Sequence, residues 1–303
     1  MSLDNKYRPA NLSEIIGNKE VILTLKGMFK NKEAIPHSFL FYGSTGTGKT
    51  TVARIVAKEL GCNENNIIEI DTAQFRGIDT VRDLRKNCQY TPLGGGVKVY
   101  ILDEIHKATG DAQNALLKIL EDPPDHVYFM LCTTDPQNLL PTVKGRCSQF
   151  QMQLLADNEM QVLLSSIVNG ENDEIDEEIY EQIIQDGQGC PRNSIKILEK
   201  VLSTPKKHRL AIAKQAAEEQ LEGIALCRAL IKKQSWSTVK TILQGLKGQE
   251  PETIRRLVLG YASSVLLNKD DEVAGLILES FIEPFYNTGF PGLVYACYSV
   301  IKN

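Results

Sequence analysis

The stretch Gly43-Ser44-Thr45-Gly46-Thr47-Gly48-Lys49-Thr50 limits the folds open to this chain more than any other feature. It fits the spacing G-x-x-x-x-G-K-[ST] at every specified position. Before it lies an apolar run, FLFYG (39–43), and after it a stretch in which Val52, Ile55, Val56 and Leu60 share one helical face. A strand, a glycine-rich turn and a helix in that order let successive backbone N–H groups close around phosphate oxygens at a helix N-terminus. Lys49 would reach the β- and γ-phosphates and the Thr50 hydroxyl would ligate Mg²⁺. Gly46, Thr47, Gly48 and Thr51 complete the expected cradle.

Such a loop needs a parallel sheet to carry it, and the first half of the chain has the matching alternation. IIEI (67–70), TVRDLRKNC (80–88), VKVYIL (97–102), DAQNALLKILE (111–121) and VYFMLCTT (127–134) read as strand, helix, strand, helix, strand. VYIL and VYFML are nearly continuous apolar runs, as strands covered on both faces require. The run Val99-Tyr100-Ile101-Leu102 delivers Asp103 and Glu104 at its C-terminal end, the edge where open α/β sheets bind ligands. Asp103 would hold Mg²⁺, and Glu104 would position or deprotonate an attacking water.

After about residue 153 the strand pattern gives way to helices. Residues 171–186 carry eight acids and no base, read as a solvated helical surface. STPKKH (203–208) marks a boundary, and the remainder repeats apolar positions at helical spacing, as in Leu226, Leu230 and Ile231 or Ile254, Leu257, Val258 and Tyr261.

Composition removes several classes. With 34 Lys+Arg against 38 Asp+Glu the net charge is −4, so a coat of basic charge is excluded and any nucleic-acid contact must be a local patch. No apolar run approaches the 18 or so residues of a membrane span, and the start of the chain lacks the apolar core of a signal peptide, so a cytoplasmic protein is expected. Seven cysteines without a C-x-x-C spacing suggest neither a zinc site nor a disulfide framework.

The order of motifs resembles the AAA+ ATPase subunits of sliding-clamp loaders: the bacterial DNA polymerase III γ/τ subunit, the replication factor C small subunits and the phage loader large subunit. The matching stretches are KYRPANLSEIIG (6–17), GSTGTGKTT (43–51), VKVYILDEIHKATGDAQNALLKILEDPP (97–124), CTTDPQNLLPTVKGRC (132–147) and GCPRNSIKIL (189–198). The resemblance implies an α/β P-loop AAA+ domain over 1–152, a helical lid over 153–205 and a helical collar, an oligomerisation domain, over 206–303. It implies ATP and Mg²⁺ as cofactors, with companion loader subunits, a sliding clamp and primer-template DNA as partners.

Site roles follow from the same resemblance. Lys6, Tyr7 and Ile16 would line the adenine pocket, and Thr133 or Thr134 would sense the γ-phosphate or its water. Arg192 would report on the γ-phosphate of its own subunit. Arg146 would act in trans, on the ATP of a neighbour. Arg76, Thr80 and Arg82 would follow the DNA backbone, in a segment (73–100) with five bases against two acids. Residues 196–240 carry ten bases and four glutamates, which suits either DNA or a neighbouring subunit. Two departures stand out. Gly145 replaces the family's usual serine before Arg146, and Leu60–Asn66 leaves no room for the four-cysteine zinc module of γ/τ, which favours a replication-factor-C-like or phage-type subunit. A non-catalytic loader subunit and another AAA+ DNA motor, such as a branch-migration helicase, are the alternative readings.

Overall fold

Five short strands form one all-parallel sheet in the order β2-β3-β4-β1-β5, where β1 is Ser38–Tyr42, β2 Ile67–Asp71, β3 Lys98–Asp103, β4 Val127–Thr133 and β5 Ser148–Gln151. The computed structural model describes all residues except 1, 31–34, 73–77, 93–94, 221, 269–270 and 303. Two compact units divide the chain: Met1–Glu171 with Gly189–Ile195, and Asn172–Gln188 with Lys196–Asn303.

The first unit is a three-layer sandwich, and the strand period of two builds it. Phe39 and Phe41 of β1, Val99 and Ile101 of β3, and Met130 and Cys132 of β4 share one face. There they meet Val52, Ile55 and Val56 of the helix Lys49–Glu59 and Leu25 of the helix Lys19–Lys30. The intervening residues Leu40, Tyr100, Leu102, Phe129 and Leu131 point to the other face. They pack on Val81 and Leu84 of the helix Ile78–Cys88 and on Leu116, Ile119 and Leu120 of the helix Gly110–Glu121. Both faces being covered is why β1, β3 and β4 are apolar almost without interruption. β5 is different: in Ser148-Gln149-Phe150-Gln151 only Phe150 is buried, because this strand forms a sheet edge.

The second unit is helical. Leu226 and Leu230, Val239 and Leu243, Ile254 and Val258, and Ile277 and Phe281 converge in one core with Leu293 and Cys297. These come from the helices Glu222–Ile231, Trp236–Gly245, Pro251–Asn268, Glu272–Phe281 and Gly289–Lys302. The acidic stretch 171–186 corrects the expectation of a purely solvated surface. Arg209, itself 5% exposed, donates to both carboxylate oxygens of Asp173 at 2.9 and 2.6 Å, holding that acid down at about 2. Asp186, 1% exposed, takes a hydrogen bond from Gln182 Nε2 at 2.5 Å and an ion pair from Arg228.

The Asp186–Arg228 pair ties the helix Glu177–Gly187 to the helix Glu222–Ile231. Removing one partner of a buried pair leaves an uncompensated charge, so Arg228→Met is expected to cost about 3–5 kcal/mol. Urea unfolding followed by Trp236, the single tryptophan and part of this core, would read the loss. The double change Asp186→Leu with Arg228→Met should recover most of it. A single variant as stable as the parent would show that the pair contributes nothing.

Candidate nucleotide site

The loop after β1 has the backbone its glycines were expected to supply. Gly43, Gly46 and Gly48 take φ values of 142°, 72° and 92°, a region that side-chain-bearing residues rarely adopt. A Cβ on Gly43 would stand 2.1 Å from the Met152 carbonyl oxygen, so the close approach itself demands glycine there. Gly48 immediately precedes the helix Lys49–Glu59, whose N-terminal amides and dipole face the loop.

Lys49 is 6% exposed and its Nζ donates to the carbonyls of Gly43 at 2.9 Å and Ser44 at 2.8 Å. Burial lowers its pKa, with Glu104 and Asp103 pulling in the opposite direction. A buried ammonium held by carbonyls is set to exchange them for phosphate oxygens. Thr47 Oγ1 donates to the Ser44 carbonyl at 2.8 Å, closing the loop on itself. Thr50 Oγ1 donates to Asp103 Oδ2 at 3.0 Å, so the first turn of the helix and the end of β3 place two hard oxygen donors side by side. That pair fits the oxygen preference of Mg²⁺.

Glu104 follows with φ 50°, a left-handed conformation for a residue with a side chain. Its Oε2 accepts from Thr134 Oγ1 at 3.1 Å and lies 3.4 Å from His106 Nδ1. Thr133, fully buried, accepts the Asp135 N–H at 3.0 Å and hydrogen-bonds His106 Nδ1 at 2.9 Å. Lys49, Thr50, Asp103, Glu104, Thr133 and Thr134 therefore converge at the C-terminal edge of the sheet, drawn from the ends of β1, β3 and β4.

A cavity of about 480 Å³ adjoins this cluster, a size suited to a nucleotide-sized ligand. Gly46, Thr47, Gly48 and Thr51 form one side, and Lys6, Tyr7, Ile16 and Arg192 stand on others. Apolar groups from Val52, Met152, Leu155, Leu163 and Ile167 give it a floor on which a flat aromatic ring could stack. Lys6 pairs with Glu171 at 2.8 Å, and Glu171 also engages the Tyr7 phenol, whose pKa rises as a result. Arg8 is a wall residue that sequence reasoning passed over, although it lies inside the KYRP stretch. Burial lowers the pKa of its guanidinium, and Arg54 and Arg192 add to the effect.

Arg146 stands apart from this cluster. Its guanidinium donates to the Thr142 carbonyl at 2.8 Å and pairs with Glu121, ahead of β5. Thr80 is half-buried and Arg82 exposed on the helix Ile78–Cys88, while Arg76 lies outside the described residues. Lys98, counted in the basic segment, instead caps the end of that helix region by donating to the carbonyls of Asn87 at 3.0 Å and Tyr90 at 2.7 Å. Gln113 is a second residue that sequence reasoning missed. It is 4% exposed and bonds the backbone of Ala108, Asn138 and Leu140, joining the start of its helix to the segment that leads from β4 toward Arg146.

The chain is similar to known proteins. The family model described as DNA polymerase III, delta subunit, matches residues 66–156, and the one described as Zeta toxin matches 20–90, a span that contains the Gly43–Thr50 loop. The DNA polymerase III subunit gamma/tau of Mycobacterium tuberculosis is 34% identical over 226 residues, 67% of this chain. The tau subunit of Bacillus subtilis is 30% identical over 288 residues, 87% of this chain. This chain is homologous to the DNA polymerase III gamma/tau subunits. It spans 39% of the mycobacterial relative and 51% of the Bacillus one. Among solved structures, the RuvB Holliday junction branch migration motor of Thermotoga maritima superposes with a TM-score of 0.59 at 22% identity, covering 74% of this chain and 79% of RuvB. That likeness is one of fold: an α/β P-loop AAA+ domain with a helical C-terminal region. No helix among the described residues is long and apolar enough to cross a membrane.

Proposed function

We propose that the chain is an ATP-hydrolysing motor subunit of a sliding-clamp loader, working in the cytoplasm with companion loader subunits. One observation carries the reading: Lys49, Thr50, Asp103 and Glu104 meet at the sheet edge beside the nucleotide-sized cavity, in a chain homologous to gamma/tau subunits. In this reading adenine lies against Tyr7 and Ile16, and the triphosphate lies along Gly46–Thr51 with Arg192 near its end. Thr50 and Asp103 hold Mg²⁺, which neutralises charge on the β- and γ-phosphate oxygens. Glu104 orients and deprotonates the attacking water, with Thr133 or Thr134 as the sensor.

The division into an AAA+ domain (1–152), a lid (153–205) and a collar (206–303) belongs to the same proposal. So does contact between primer-template DNA and the segment of Arg76, Thr80 and Arg82, through phosphates and without sequence readout. ATP bound at subunit boundaries would hold the assembly on an opened clamp, and hydrolysis would release the clamp around DNA.

The expected behaviour is slow ATP hydrolysis by the chain alone, and strong stimulation by a sliding clamp and primed DNA together within the assembled loader. Lys49→Ala should abolish both rates, because the ammonium it removes is the group poised to meet the β- and γ-phosphates. Wild-type hydrolysis by Lys49→Ala would sink the nucleotide assignment. Stimulation by a four-way junction with no clamp requirement would point to a branch-migration motor instead.

A further inference from the structure

Two side chains approach the Glu104 carboxylate, Thr134 through a hydrogen bond and His106 at 3.4 Å, and His106 has no role in the reading above. The left-handed backbone at Glu104 and the short helical turn Ile105–Lys107 bring the imidazole back over the end of β4. Nδ1 then stands between two oxygens, Thr133 Oγ1 at 2.9 Å and Glu104 Oε2 at 3.4 Å. Thr133 is itself anchored: it is fully buried, it ends β4, and its Oγ1 takes the Asp135 N–H at 3.0 Å. The histidine side chain is 14% exposed, so the ring is enclosed by the groups it touches.

We propose that His106 is a positioning residue for ATP hydrolysis, linking the fixed Thr133 hydroxyl at the end of β4 to the Glu104 carboxylate at the end of β3. The inference rests on the hydrolytic reading of Glu104. Histidine suits the place because a proton on Nδ1 faces two acceptors at once, the Thr133 hydroxyl oxygen at 2.9 Å and the acceptor-only Glu104 carboxylate at 3.4 Å. Thr134 grips the same carboxylate oxygen at 3.1 Å, so the two residues together fix where that oxygen points. Loss of the imidazole removes the group beside Glu104 Oε2, leaving the Thr134 hydrogen bond alone to orient it, and removes the partner of a buried hydroxyl. Glu104 then samples orientations in which no water is aligned with the γ-phosphate, which lowers turnover and leaves binding alone.

The test compares His106→Leu, His106→Asn and His106→Gln in the full chain, each with wild-type and Gln at position 104. Asparagine places an amide where Nδ1 stands, whereas glutamine places it nearer Nε2. Single-turnover hydrolysis and equilibrium ATP binding are the readouts. His106→Leu and His106→Gln should hydrolyse ATP at least about tenfold more slowly with affinity unchanged, and His106→Asn should recover most of the rate. In the Glu104→Gln background His106→Leu should add no further loss, because its target is already gone. A wild-type rate for His106→Leu, equal rates for Asn and Gln, or the same loss in both backgrounds would overturn the inference. The controls separate the two levels. Hydrolysis that survives Lys49→Ala removes the nucleotide reading and this inference with it. Hydrolysis that depends on Lys49 and ignores His106 removes the inference alone.

Discussion

Arg146→Ala is expected to lower ATP hydrolysis by about 10³-fold or more, and mixing it with Lys49→Ala chains is expected to restore activity. The strand register carries the argument. β5 runs parallel to β1 with Ser148 opposite Phe39, so Arg146, two residues earlier, lies level with His37. Gly43, where the phosphate loop begins, is six residues further along β1, about 20 Å away at ~3.3 Å per residue. An arginine side chain does not span that separation, and this one is also held by Thr142 and Glu121. Arg146 is therefore out of reach of its own phosphate loop, which is the placement the proposed role in trans requires. Its Nε is buried without a hydrogen-bond partner among the described residues. In the mixture, a Lys49→Ala chain brings an intact Arg146 to the intact phosphate loop of an Arg146→Ala chain. Two inactive proteins then make an active interface. If the mixture hydrolyses ATP no faster than either component, Arg146 is not a residue supplied in trans.

How much of this could be read beforehand depended on which interactions are local in sequence. The phosphate loop and the carboxylate pair were legible because their chemistry lies in consecutive residues at the end of a recognisable strand. β1, β3 and β4 were legible for a related reason: burial on both faces demands apolar residues at every position. β5 was not, since an edge strand needs one buried side chain, and Ser-Gln-Phe-Gln has the alternation of many loops. Gln113 reads as a surface residue in DAQNALLKILE, and its burial is offset by backbone partners up to 27 residues away. The same reason hid Asp173 and Asp186 within a run of acids, because their arginine partners lie 36 and 42 residues on. His106 needed a further fact, the pairing of β3 with β4 that sets Leu102 beside Leu131 and so brings Glu104 next to Thr134.

Glu104→Gln is expected to cut hydrolysis by about 10²–10⁴-fold while ATP affinity holds. The substitution keeps the side chain's length and shape, so the left-handed backbone at φ 50° carries no new strain and Thr134 keeps an oxygen to donate to. It removes only the capacity to take a proton from water. Lys49, Thr50 and Asp103, which would bind the triphosphate and Mg²⁺, are untouched, so binding and turnover should separate cleanly. Single-turnover hydrolysis against equilibrium nucleotide binding would measure the split, with ATP-bound protein accumulating in the variant. Retention of a near-wild-type rate would mean that Glu104 is not the base. Asp103 is a poor substitute in that event, because its oxygens already serve Thr50 Oγ1 and the Glu104 N–H. A parallel loss of affinity would place Glu104 in ground-state binding instead. Thr134→Val completes the comparison. It frees Oε2 from its hydroxyl donor without removing the carboxylate, so a rate change there reports how far the observed hydrogen bond orients the base.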